Sequence, residues 1–224
     1  MSAAALARLE REIVRCERCP RLREWCMEVA RTKRKSFASE TYWGKPVPGF
    51  GDPRARIWIL GLAPAAHGAN RTGRMFTGDK SGEFLYAALH RAGFANRAQS
   101  VSRDDGLALK GVWISSAGRC APPANKPTPE ELDACSEWLD REREALTDVR
   151  VILALGGIAW DAALALLARG GATIPKPRPK FGHGAYVELG GVQLLGCYHV
   201  SQQNTFTGKL TPKMLDGVLE RART

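Results

Sequence analysis

The sequence predicts a three-layer α/β/α sandwich around a central, mostly parallel, four-stranded sheet. Three observations predict it. Short uninterrupted apolar runs, such as Ile57-Trp58-Ile59-Leu60 and Val151-Ile152-Leu153-Ala154-Leu155, have the composition of strands covered on both faces. Segments with helical periodicity alternate with these runs, the pattern that gives a parallel sheet between helical layers. The chain has 224 residues, 44% of them hydrophobic, with no internal repeat and no interdomain linker, so residues 1–224 are expected to form one domain with a sizeable core.

In chain order, Ala3 to Glu10 is rich in helix formers and leads into the first cysteine pair. The Gly- and Pro-rich run from Gly44 to Pro53 reads as irregular loop. The first core strand, Ile57 to Leu60, stops at Gly61, and a polar stretch from Ala63 to Lys80 follows as a long loop. Long loops inside compact domains tend to carry function. A helix is expected from Ser81 to Arg91, with Phe84, Leu85, Ala88 and Leu89 on its apolar face. Val112 to Ser115 is the second strand. Thr128, Pro129 and Glu131 then open a helix with a capping box, and Leu132, Cys135 and Leu139 share its inner face. Val151 to Leu155 is the third strand and runs through Gly156-Gly157 into a helix from Ile158 to Ala168. The last strand, Gln193 to Cys197, delivers His199 at its carboxyl end, and Thr211 to Arg221 closes the chain as a helix. Ligands bind such sheets beyond the carboxyl ends of the strands, where the Gly61, Ser115 and His199 loops begin.

The cysteines carry the next signal. Cys16 and Cys19 form a C-x-x-C pair, and Cys120 and Cys135 supply a second pair from the far side of the core. The arrangement reads as one four-thiolate metal site that ties the amino-terminal segment to the middle of the fold. Structural zinc sites draw on two tight knuckles, whereas one tight pair with two distant anchors suits an iron–sulfur cluster better; spacing leaves both open. Cys26 is an alternative ligand, and Cys197 reads as a buried structural thiol. No apolar leader and no span long enough for a bilayer is present, so a cytoplasmic protein with reduced thiols fits better than a disulfide framework.

Thirty-three Lys and Arg against 23 Asp and Glu give a net charge of +10, which points to a polyanionic partner, nucleic acid first; the plain alternative is a basic surface that keeps the protein soluble. Two clusters sharpen the first reading, Arg31 to Lys35 and the proline-interleaved Lys176 to Lys180.

Three loops, set side by side, carry a resemblance: Gly61-Leu62-Ala63-Pro64-Ala65-Ala66-His67-Gly68-Ala69-Asn70-Arg71-Thr72-Gly73-Arg74-Met75-Phe76-Thr77-Gly78-Asp79, then Arg119-Cys120-Ala121-Pro122-Pro123-Ala124-Asn125-Lys126-Pro127-Thr128-Pro129-Glu130-Glu131, and His199-Val200-Ser201-Gln202-Gln203-Asn204-Thr205-Phe206-Thr207-Gly208-Lys209-Leu210-Thr211. With the four cysteines, the chain resembles a uracil-DNA glycosylase of the family 5 (type B) group nearly end to end. The resemblance implies a monofunctional glycosylase that flips a damaged base from DNA and leaves an abasic site, with a structural [4Fe–4S] cluster on Cys16, Cys19, Cys120 and Cys135.

The residues suit that chemistry. Breaking the bond between base and deoxyribose builds positive charge on the sugar and negative charge on the base, so help is needed at both ends. His199 can donate to the base oxygen. Asp79, the sole carboxylate of the first motif, can position water or stabilise the sugar cation, and Asn125 offers an amide to the base edge or the water. Phe76 is a ring for an extruded base. The bland readings are a structural histidine, an aspartate whose charge merely sits at a helix N-terminus, a turn asparagine and a core phenylalanine. His67 and Asn70 stand between loop scaffold and substrate contact, and His90 and His183 read as structural or surface. Ser201, Asn204 and Lys209 are expected to hold phosphates, with Leu210 as a wedge into the vacated stack.

Departures from the wider superfamily bear on substrate choice. Where its best-known branch has a water-activating aspartate and a thymine-excluding tyrosine, this chain has Ala63 and Ala65. Ser116 stands where other branches read the uracil edge with asparagine, and Met75 where relatives often have proline. A pocket with few fixed polar contacts should accept more than uracil, including hypoxanthine and ethenocytosine. The expected partner is DNA containing such bases, met by a monomer with no membrane association. The rival classes are a non-catalytic iron–sulfur nucleic-acid-binding protein and an iron–sulfur electron-transfer or redox protein.

Overall fold

The computed structural model describes residues 2–223. Its sheet has six strands: β1 (Phe50–Gly51), β2 (Ile57–Gly61), β3 (Val112–Ser116), β4 (Val151–Leu155), β5 (Tyr186–Leu189) and β6 (Val192–Cys197), in the order β1-β3-β2-β4-β6-β5. The four central strands are parallel, with Ile59 facing Ile114 on one side and Leu153 on the other. The expected four-stranded sheet is therefore present, and the strand count is corrected by two antiparallel edges.

Each edge has a local cause. β5 and β6 form a hairpin across Gly190-Gly191, both at positive φ (57° and 74°), the conformation that two-residue hairpin turns require. At β1, Gly51 sits at φ 145°, and a Cβ there would lie 2.3 Å from the Val112 carbonyl oxygen, so only glycine lets this strand close on β3.

Alternation along the strands builds two cores. Ile57, Ile59, Leu153 and Leu155 pack against helices α4 (Lys80–Arg91) and α8 (Pro212–Arg223), through Leu85, Leu89, Leu215 and Leu219. Trp58, Leu60, Ile152 and Ala154 point the other way, toward α1 (Ser2–Val14), α5 (Pro129–Ala145) and α6 (Gly157–Arg169), meeting Leu6, Leu139, Trp160 and Leu164. Full burial of each such side chain contributes about 1.5–3 kcal/mol. The capping box at Thr128 forms as expected: Glu131 N–H donates to Thr128 Oγ1 at 3.3 Å, and Thr128 N–H donates to Glu131 Oε2 at 2.8 Å.

Three helices were not foreseen: α2 (Pro20–Thr32), and the short α3 (Ala69–Thr72) and α7 (Gln202–Phe206). The strand order reverses around β2: α4 leads outward to β3 along one face, and α5 returns on the other to β4. Carboxyl ends at such a switch point splay apart and leave a crevice.

Candidate active site

A cleft of about 1320 Å³ opens over those carboxyl ends, and Ala63, Phe76, Asp79, Asn125, His199, Ser201 and Asn204 all line it. Three loops distant in sequence thus deliver the expected side chains to one place.

Glycines shape the first loop. Phe76 is held at φ 51°, in the left-handed region, with its ring over Gly61 and its carbonyl against Gly82; a Cβ at Gly82 would lie 1.8 Å from that oxygen. The ring is therefore fixed in the cleft wall, 6.3 Å from the His199 ring and tilted 42° to it. Asp79 caps α4, its Oδ1 accepting from Gly82 N–H at 2.9 Å. The carboxylate thus sits at a helix N-terminus, as the plain reading has it, and also caps it, with Oδ2 against Gly68. Burial pushes the Asp79 carboxyl above its ordinary range, opposed by the Gly82 and Ser81 amides and the Arg71 charge.

Two buried arginines tie this loop down, and the sequence reading passed over both. Arg71 donates from Nε to the His67 carbonyl at 2.8 Å and from Nη2 to the Gly78 carbonyl at 2.7 Å, and it pairs with Glu40. Arg74 donates to Thr77 and Ser100 and pairs with Asp105 at 2.7 Å, clamping residues 100–105 to the cleft rim. In a basic chain such arginines look like surface charge; only their burial reveals otherwise.

His199 follows β6 beneath Gly156, where a Cβ would approach its own Cβ to 3.4 Å. Burial holds its pKa below the usual histidine value, so the imidazole is neutral at physiological pH and can donate one N–H. Its carbonyl accepts from Asn204 Nδ2 at 2.8 Å, so that amide fixes the loop while the residue lines the cleft. Asn125 stands exposed on the opposite rim at φ 57°, after Ala124 at φ 51°, a tight left-handed turn that asparagine tolerates.

Other expected residues lie elsewhere. Ser116 is fully buried, with Oγ donating to the Gly118 carbonyl at 2.6 Å; it sits beneath Met75, which lines the cleft in its place. Leu210 is 1% exposed and belongs to the core, which corrects its expected role as a wedge. On the same loop Phe206 is 73% exposed. Lys209 is exposed, with Nζ 4.9 Å over the Tyr198 ring. His67 lines the cleft with Nδ1 3.0 Å from Tyr42 Oη, whereas Asn70 is buried scaffold, donating to the carbonyls of Cys26 and Ala66. His183 Nδ1 accepts from the Tyr198 amide, and His90 is on the surface. Arg34, from the first basic cluster, reaches the rim.

All six cysteines are free. Cys16 packs with buried Cys135 between α1 and α5, and Cys19, at the start of α2, packs with buried Cys120 and Cys26. Burial first, then the charges of Cys135, Cys120 and Cys16, push the Cys19 thiol up to about 11. Among the described residues, no three His, Cys, Asp or Glu side chains converge tightly enough to hold a single metal ion. The surroundings nonetheless fit an acceptor-rich group. Arg23 Nε, Arg119 Nε and Nη1, and Trp138 Nε1 are buried N–H donors without partners, and their residues adjoin these cysteines.

The fold is a doubly wound α/β sheet with a cleft at its switch point, and the family within it is shown by comparison with known proteins. The family model for the uracil DNA glycosylase superfamily matches residues 48–223, and the chain belongs to that superfamily. Its relatives narrow the placement to the type-5 group. The type-5 uracil-DNA glycosylase of Mycobacterium tuberculosis is 56% identical over 223 residues, covering 99% of this chain and 82% of that one. That of Thermus thermophilus is 54% identical over 209 residues, 93% of this chain and 92% of its own length. A solution NMR structure described as a candidate uracil DNA glycosylase from Methanosarcina acetivorans shares the fold, with a TM-score of 0.50 at 16% identity over 80% of this chain and 98% of that one. Among the described residues no helix is long and apolar enough to cross a membrane.

Proposed function

We propose that this chain is a monofunctional DNA glycosylase of base-excision repair, which takes uracil out of the duplex, hydrolyses its N-glycosidic bond and leaves an abasic site. The observation that carries the reading is the convergence of Asp79, His199, Asn125 and Phe76 on one cleft. The flipped base stacks on Phe76. As the bond between C1′ and the base nitrogen breaks, its electron pair passes to the base, and the neutral His199 N–H donates to the base oxygen where negative charge gathers. Asp79 orients water for attack on C1′ and takes its proton, while Asn125 holds the water or the base edge. The departing base anion is protonated by solvent.

Ala63, Ala65 and Ala66 line the same cleft. They present no side-chain polar group that a wrong base would strand, which favours a range extending to hypoxanthine and ethenocytosine. Ser201, Lys209 and Arg34 grip the backbone phosphates. Phe206, rather than Leu210, enters the gap left by the flipped base. Cys16, Cys19, Cys120 and Cys135 hold a [4Fe–4S] cluster, which supplies no catalytic step but joins the amino-terminal segment to the core. One tight C-x-x-C pair with two distant anchors, and unpartnered N–H donors beside them, support this reading over a single zinc ion. The protein acts as a monomer in the reducing cytoplasm.

The test is incubation with a single-uracil oligonucleotide followed by hot alkali. Strand breakage at uracil is expected. DNA binding without breakage would favour the non-catalytic reading.

A further inference from the structure

Six buried side-chain atoms among the described residues have no hydrogen-bond partner, and five of them are N–H donors. Native proteins seldom leave such groups unpaired, because each has given up its hydrogen bonds to water with nothing in exchange. Four of the five donors belong to Arg23, Arg119 and Trp138, and each of these residues is anchored on one side and unpaired on the other. Arg23 lies one turn after Cys19 on α2, its amide bonded to the Cys19 carbonyl at 3.0 Å and its Nη1 donating to the Gly44 carbonyl at 3.1 Å, while its Nε is buried without a partner. Arg119 directly precedes Cys120 and is 1% exposed. Its Nη2 is pinned to Glu142 at 2.6 Å, leaving Nε and Nη1. Trp138 lies one turn after Cys135 on α5 and packs with Cys135 and Cys16. Its ring is covered by the Arg18 and Arg141 guanidiniums at 4.5 and 5.3 Å, leaving Nε1.

We infer that Arg23, Arg119 and Trp138 form a sleeve of positioned N–H donors for the sulfur atoms of the iron–sulfur group, setting how firmly it is retained and how readily it is reduced. The inference rests on the cluster reading above. Donors around a metal site orient and charge-balance its ligands, and hydrogen bonds to sulfur stabilise the extra electron of the reduced state. Removing one should therefore lower the reduction potential and loosen the group.

The experiment uses Trp138→Phe and Arg23→Met, which keep bulk and delete the donor, in protein purified without air. Arg119 is left intact, because its loss would strand Glu142. Both variants are expected to carry iron and sulfide at the wild-type ratio, to bleach about 10-fold faster under EDTA and air, and to show a more negative midpoint in a spectroscopic redox titration. Arg23→Lys, which retains a charged donor, should recover part of the difference. Wild-type bleaching and potential in both iron-loaded variants would overturn the inference. Absence of iron and sulfide from the wild-type protein would instead overturn the cluster reading beneath it.

Discussion

Gly68 and Asp79 approach so closely that a methyl group on Gly68 would lie 1.9 Å from Asp79 Oδ2. The glycine is the only residue that leaves the carboxylate where the α4 cap holds it. Gly68→Ala should therefore displace Asp79 and cut single-turnover excision about 100-fold, the scale expected for a misplacement of about 1 Å. Quench-flow at saturating enzyme checks this; an unimpaired Gly68→Ala would mean that the position of Asp79 does not matter.

The acid side of the pH–rate profile should report the same carboxylate. Asp79 works as the ionised form, and burial raises its pKa, so the rate should fall with decreasing pH at a point above the ordinary aspartate range. Burial lowers His199, so no limb near the ordinary histidine value is expected. The acid limb should vanish in Asp79→Asn.

Phe206 and Leu210 should separate cleanly. Phe206→Ala removes an exposed ring and should lower excision from duplex DNA by about 10-fold or more, at a stability change within about 0.5 kcal/mol. Excision from single strands should change little. Leu210→Ala opens a core cavity and should cost about 2–5 kcal/mol in denaturant unfolding. The reverse pattern would restore Leu210 as the wedge.

Much of this was legible in the sequence, and the misses have physical reasons. β2, β3 and β4 announced themselves because strands covered on both faces carry uninterrupted apolar runs, in β3 from Val112 to Ile114. β5 did not, because Tyr186 and Glu188 face solvent and an edge strand lacks that signature. Asp79, His199, Phe76 and Asn125 could be placed at the cleft because they stand in loops after strands, where side chains are free to face a ligand. Ser116 and Leu210 were placed by position in a motif, and burial, which no motif records, moved them out of the cleft. Arg71 and Arg74 were missed for the converse reason, since a charged residue in a polar loop carries no sign that it will be covered.

Binding should be steeply salt-dependent if Arg34, Lys209 and their neighbours neutralise several phosphates. Affinity for uracil-containing duplex is expected to drop on the order of tens- to thousands-fold between about 50 and 200 mM salt, measured by fluorescence anisotropy. A flat response would place the DNA grip outside these charges.

Asp79 both caps α4 and carries the proposed proton transfer, and asparagine separates the two roles because it caps helices as well as aspartate does. The deciding measurement is single-turnover excision from a uracil-containing oligonucleotide by Asp79→Asn, with unfolding and DNA binding measured on the same preparation. The account predicts near wild-type stability and affinity with excision slowed about 100-fold or more. Wild-type excision in a folded, DNA-binding Asp79→Asn would contradict it.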